Sequence, residues 1–79
     1  MEIAEKVKEI IADQLGIHKK EVVEDANLIN DLQVETIDIV NFITEFEVAF
    51  QISILDSDFK NISTVKEVID YLELLISKK

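Results

Sequence analysis

Apolar residues recur along the chain at helical spacing in three places, separated by stretches where that spacing is lost. Between residues 2 and 15, Ile3, Val7, Ile10, Ile11 and Leu15 fall three or four positions apart with Glu, Lys and Asp between them, which predicts an amphipathic helix. Gly16 follows where a left-handed cap is expected to end it. A second helix is predicted from Thr36 to about Phe50. Plotted at about 100° per residue, Ile39, Phe42, Ile43, Phe46, Ala49 and Phe50 share one stripe that suits a core. A last helix begins near Ser63 and Thr64, where Thr64 and Glu67 have capping-box spacing, and buries Val65, Val68, Ile69, Leu72 and Ile76. Lys78 and Lys79 suit its negative C-terminal end.

The intervening segments read differently. Residues 17 to 34 have no sustained period, contain the turn formers Asp25, Asn27, Asn30 and Asp31, and carry scattered apolar anchors at Ile17, Val22, Val23, Leu28, Ile29, Leu32 and Val34. This predicts a long loop pinned to the core, and loops beyond about 12 to 15 residues are usually functional. Ile52 to Leu55 alternates like a strand but has no pairing partner elsewhere, so it reads as an extended connector. Asp56, Ser57 and Asp58 supply helix-start chemistry for a short turn through Asn61. The expected architecture is all-α, a small three-to-four-helix bundle with a long first loop.

Composition narrows the function. The 79 residues, 48% of them hydrophobic, suffice for one core and a single domain over 1–79. Without cysteine, and with His18 as the only histidine, the chain cannot build disulfides, thiolate or imidazole metal clusters, or a Ser/His/Asp triad. No apolar run exceeds three residues, so no membrane insertion is expected. The first residues lack a basic region followed by an apolar one, and a cytoplasmic location is expected. The formal charge is −9 and is unevenly placed. From Glu21 to Phe59 there are ten acidic residues and no lysine, while the rest of the chain carries seven acids and eight lysines. Nucleic acid and anionic membranes would be repelled; basic proteins would be attracted.

The second predicted helix has an unusual outer side. Ile37, Val40, Asn41, Thr44 and Val48 lie opposite the core stripe, flanked by Asp38, Glu45 and Glu47. An apolar strip inside an acidic rim reads as an interface, or else as a surface over which the preceding loop folds.

The stretch from Asn30 to Val40, Asn-Asp-Leu-Gln-Val-Glu-Thr-Ile-Asp-Ile-Val, resembles the signature of the acyl carrier protein family. There an Asp-Leu-Gly turn leads to Asp-Ser-Leu and an acidic residue at the start of the second helix. Phe50, Ile52, Ile54, then Ile62 to Val65 and Ile69 to Leu72, are similar to that family in the same register, so the resemblance covers nearly the whole chain. It implies a non-enzymatic carrier. In the family the serine receives 4′-phosphopantetheine from coenzyme A through a phosphopantetheinyl transferase, and the terminal thiol holds acyl groups for fatty acid, polyketide or related biosynthetic enzymes.

Here the attachment position is Thr36, with Glu35 for the aspartate and Ile37 for the leucine. Threonine retains a hydroxyl, but its methyl restricts the rotamer and crowds the approach. At a helix start it is also a standard N-cap. The resemblance further implies that Asp38 and Glu47 meet basic docking patches on acyl-processing enzymes, with Ile37, Val40 and Thr44 as apolar contacts. Asn41 and Val48 stand where glutamate is frequent in the family. Phe42, Phe46 and Phe50 would either block or line the space where the family shelters its acyl chain. A monomer is expected. The alternative is an acyl-carrier-like docking or regulatory module that lacks the prosthetic group and binds a basic partner through its acidic second helix.

Three other candidates point to plainer roles. Ser57 lies before the short third turn, outside the register of the attachment site. Asp56, Asp58 and Asn61 lack the glycine and terminal glutamate of a calcium loop. His18 reads as a surface residue after a helix end.

Overall fold

A computed structural model describes residues 3 to 78, so the expected helical role of Glu2 and the dipole role of Lys79 lie outside the described residues. Among the described residues four α-helices run in the order α1 (Ile3–Leu15), α2 (Thr36–Phe50), α3 (Asp56–Phe59) and α4 (Val65–Ser77). Among the described residues there is no strand, only an isolated antiparallel bridge between Asn27 and Thr64. The all-α bundle with a long first loop is therefore observed. Helix α1 packs against both α2 and α4. The shared core takes Val7 and Ile11 from α1, Phe42 and Phe46 from α2, Phe59 from α3, and Val65, Val68 and Leu72 from α4. Phe46 is its aromatic hub, with ring centroids 6.1 Å from Phe42, 6.4 Å from Phe50 and 6.3 Å from Phe59. Ile76, expected to be buried, is only half-buried near the end of α4.

Local chemistry sets the helix ends. Gly16 takes φ +68° after α1, and the Ile17 N–H returns to the Ala12 carbonyl at 3.0 Å. At α4 the Thr64 hydroxyl accepts the Glu67 N–H at 3.2 Å, and Glu67 Oε1 accepts the Thr64 N–H at 3.0 Å and that of Ser63 at 2.8 Å. Those backbone donors hold the Glu67 carboxyl below the usual carboxylate range. A depressed folded value means that this cap stabilises the fold above the unfolded-state pKa and is lost as the pH falls through the folded one.

The long loop is an ordered arch. It contains a 3-10 turn at Lys19–Glu21 that periodicity alone does not reveal. Asn27 organises its middle: Oδ1 accepts from Ile29 and Asn30, and the backbone carbonyl accepts from Asp31 and Leu32. Three backbone bonds stitch the arch to the start of α4: Leu28 N–H to Ser63, Val65 N–H to Ala26 and Lys66 N–H to Glu24. Val22, Ala26, Leu28 and Val34 are its buried anchors. Val23 and Ile29, expected among them, are exposed, because the arch spends its inward positions on their neighbours.

Gln33 adopts φ +57° just before α2. That left-handed conformation costs a non-glycine residue about 1–2 kcal/mol, and Gln33 is exposed, so no packing offsets it. Gln33→Gly is expected to stabilise the fold by about 0.5–1 kcal/mol after glycine's entropic penalty, seen as a rise of about 4 °C in Tm. A fall in Tm would show that this turn relaxes with little strain.

Candidate functional site

The arch delivers the chain to α2 in a fixed position. Val34 is buried and its N–H donates to the Leu28 carbonyl at 2.9 Å. Glu35 is extended, with φ −105° and ψ 169°, and occupies the N-cap position. The Glu35 N–H donates to Asp38 Oδ2 at 3.0 Å. Thr36 is therefore the first helical residue, and the expectation that its own side chain caps α2 is corrected: Glu35 holds the N-cap position, and no first-turn N–H donates to the Thr36 hydroxyl. Thr36 is exposed, and its hydroxyl forms no hydrogen bond with the described residues. The positive end of the α2 dipole lies beside it, where a phosphate is favoured.

A cleft of about 260 Å³ opens next to this hydroxyl, lined by Thr36, Ile39, Val40 and Ile43 from α2 and by Asp56 and Lys60 at α3. An exposed threonine lining a largely apolar cleft fits an attached arm that carries an apolar cargo. Phe42, Phe46 and Phe50 are turned the other way, into the core with Phe59. They neither line nor plug this cleft, whose apolar wall is aliphatic.

The outer side of α2 is open. Ile37, Val40 and Val48 are 63%, 53% and 68% exposed, so the preceding loop does not fold over them. Thr44 is exposed and its hydroxyl donates to the Val40 carbonyl at 3.2 Å, while Asn41 is half-buried. The acidic residues beside this strip divide into two kinds. Glu35 and Glu45 are exposed, whereas Asp38 and Glu47 are half-buried and hydrogen-bonded within the chain. Glu47 Oε2 accepts the Ile54 N–H at 2.8 Å and so ties the end of α2 to the connector leading into α3.

The clamp at Glu47 was missed from sequence, because a partner seven residues away leaves no periodic signal. Glu47→Ala leaves a part-buried N–H unsatisfied and is expected to cost about 1–3 kcal/mol in urea unfolding. Glu47→Gln keeps an acceptor and is expected to recover most of that loss. Equal losses in both variants would assign the effect to charge. Exposed Glu45, with no internal bond of this kind, is accordingly the cleaner site for charge reversal in a partner-binding assay.

The remaining candidates keep structural roles. Asp58 Oδ2 accepts from the Tyr71 hydroxyl at 3.1 Å, joining α3 to α4, and burial, reinforced by this bond, raises the Tyr71 phenol above its usual value. Ser57 lies within α3, away from the lining of the Thr36 cleft. His18 is exposed beside Lys19 and Lys20. Among the described residues no group of His, Cys, Asp and Glu is arranged to hold a metal ion, and no helix is long and apolar enough to cross a membrane.

Comparison with known proteins shows the family and the fold. Residues 5–72 match the family model described as a phosphopantetheine attachment site. The chain is 40% identical over 72 residues to an acyl carrier protein of Thermotoga maritima, covering 91% of this chain and 89% of the relative. It is 44% identical over 78 residues to one of Amoebophilus asiaticus, covering 99% and 98%. Among solved structures, a protein assigned as an acyl carrier protein from Mycobacterium tuberculosis superposes with a TM-score of 0.85 at 26% identity, over 92% of this chain and 97% of the other. The acyl carrier protein of Enterococcus faecalis gives 0.77 at 30% identity, over 92% of each chain.

Proposed function

The chain belongs to the acyl carrier protein family, whose members are non-catalytic phosphopantetheine carriers, and from that premise we propose that Thr36 is its attachment residue. On this reading the chain carries acyl groups as a monomer and presents them to fatty acid, polyketide or related biosynthetic enzymes of the cytoplasm. The observation that carries the proposal is Thr36 itself: exposed, without a hydroxyl hydrogen bond among the described residues, and lining the α2–α3 cleft. When attached, the arm supplies a terminal thiol that holds the acyl group as a thioester. Attachment forms a bond from Thr36 Oγ1 to the phosphorus next to the pantetheine of coenzyme A. The pyrophosphate bond breaks, 3′,5′-ADP leaves, and the hydroxyl proton passes to the transferase.

The chain's own residues have distinct parts in this reading. Val34 and the Asn27 turn hold the attachment residue in place. Ile39, Val40 and Ile43 offer an apolar wall. Ile37, Val40, Thr44 and Val48 form the open strip that a transferase or acyl-processing enzyme would cover, with Glu35, Asp38, Asn41, Glu45 and Glu47 around it to meet basic side chains. Intact mass after incubation with coenzyme A, magnesium and a broad-specificity transferase tests the proposal. A gain of one phosphopantetheine that Thr36→Ala abolishes is the expected result; an unmodified native chain would overturn it. The methyl on Thr36 favours a second reading, a docking module without the arm, and an unmodified native chain beside a fully loaded Thr36→Ser variant would support it.

A further inference from the structure

The cleft beside Thr36 is apolar on its α2 side, while the α3 side brings two charged groups, Asp56 and Lys60. Lys60 is the first lysine after a segment, residues 21 to 59, that holds ten acids and none of its own. Among the residues lining the cleft it is the one cation. It forms no ion pair among the described residues. Asp56 is four positions earlier, and the Lys60 N–H reaches its backbone carbonyl at 3.1 Å, yet the two side chains stay beyond ion-pair distance. A lysine that forms no ion pair among the described residues thus lines the same small cleft as Thr36.

We infer that Lys60 is the counter-ion of a phosphodiester carried on Thr36, holding the base of the arm against the α2–α3 cleft. This rests on the reading of Thr36 as the attachment residue. A phosphodiester brings one negative charge, and it would arrive next to Glu35, within two residues of Asp38, and on the rim shared with Asp56. Uncompensated, it adds to the repulsion within the acidic segment. Lys60 offers a compact charge on a flexible stem that can follow a mobile arm, and its methylenes can cover the apolar wall while the ammonium faces the phosphate.

The test compares loaded and unloaded forms of the native chain, Lys60→Gln, and a control, Lys20→Gln, whose lysine lies outside this cleft. Each is prepared on Thr36 and, in parallel, on Thr36→Ser at the same position, with loading verified by mass. One readout is the phosphorus-31 resonance of the arm from about 0.01 to 1 M NaCl, over which the screening length falls from about 30 to 3 Å. The other is the change in Tm caused by loading, for which each unloaded variant is its own reference.

The resonance is expected to move with salt in the native and Lys20→Gln proteins and to stay flat in Lys60→Gln. At low salt, loading is expected to lower Tm by about 2–4 °C more in Lys60→Gln than in the native chain, a gap that closes at high salt. Identical responses in native and Lys60→Gln would overturn the inference, as would equal changes in Lys60→Gln and Lys20→Gln, which would indicate bulk charge. A native chain that stays unloaded while Thr36→Ser loads fails the reading of Thr36, and the serine-loaded protein then decides Lys60. A chain that loads at neither residue overturns both.

Discussion

Phe46→Ala is expected to remove about 3–5 kcal/mol of folding free energy. Phe46 is fully buried, stacks with Phe42 and Phe59 and meets Phe50 at a tilt, so its ring joins successive turns of α2 to the short helix α3. Truncation removes apolar contact and leaves a hole bordered by three other rings, which cannot close without moving two helices. A domain of this length has a net stability of only about 4–12 kcal/mol. Thermal unfolding followed by circular dichroism should therefore show Tm lower by about 15–30 °C, or no cooperative transition. Phe46→Leu fills part of the space and should lose less. A loss in Phe46→Ala below about 1.5 kcal/mol would mean that α3 collapses onto α2, and that the aromatic cluster contributes less than its burial suggests.

The α2 part of that cluster was legible in the sequence because helical periodicity is a repeated signal: Phe42, Phe46 and Phe50 recur every four residues on the face that Ile39 and Ile43 share, whereas Phe59, in a helix of one turn, has no such period to reveal it. The Thr64 and Glu67 capping box was legible for a related reason, since both partners lie within one turn. The α2 cap was misread by one position because several residues in Glu35-Thr36-Ile37-Asp38 can begin a helix, and the choice is made by Val34 and the arch behind it. Gln33 shows the same limit. It stands at the glycine of the Asp-Leu-Gly turn in the family pattern, yet nothing in its own chemistry announces φ +57°. Contacts that join distant segments, such as Glu47 to Ile54 and Asp58 to Tyr71, carry no local signature at all. The candidate site divides along this line. Thr36 and the exposed α2 strip follow from motif and helical wheel, whereas the cleft and Lys60 at its rim depend on how α3 lies against α2.

The second large effect concerns Thr36 and is a rate. The hydroxyl forms no hydrogen bond with the described residues, so neither threonine nor serine must break one to react, and capping does not separate the two. What remains is the methyl. On the first turn of a helix a β-branched side chain has few χ1 states, and its methyl adds bulk beside the oxygen that serine lacks. Displacement of a nucleophile by about 1 Å costs about 10²-fold, equivalent to about 2.7 kcal/mol in the barrier. With one transferase at equal concentrations, Thr36→Ser is accordingly expected to load about 10²-fold faster than the native chain, and Thr36→Ala not at all. Because the arm is bonded through the same oxygen position in both loaded proteins, their mass gains should be identical at completion. Equal rates for threonine and serine would show that the cleft tolerates the methyl and that Thr36 is as competent as the residue it replaces. Failure of both would move the obstacle to Glu35, Ile37 or the outer face of α2, where the transferase must sit before any hydroxyl can react.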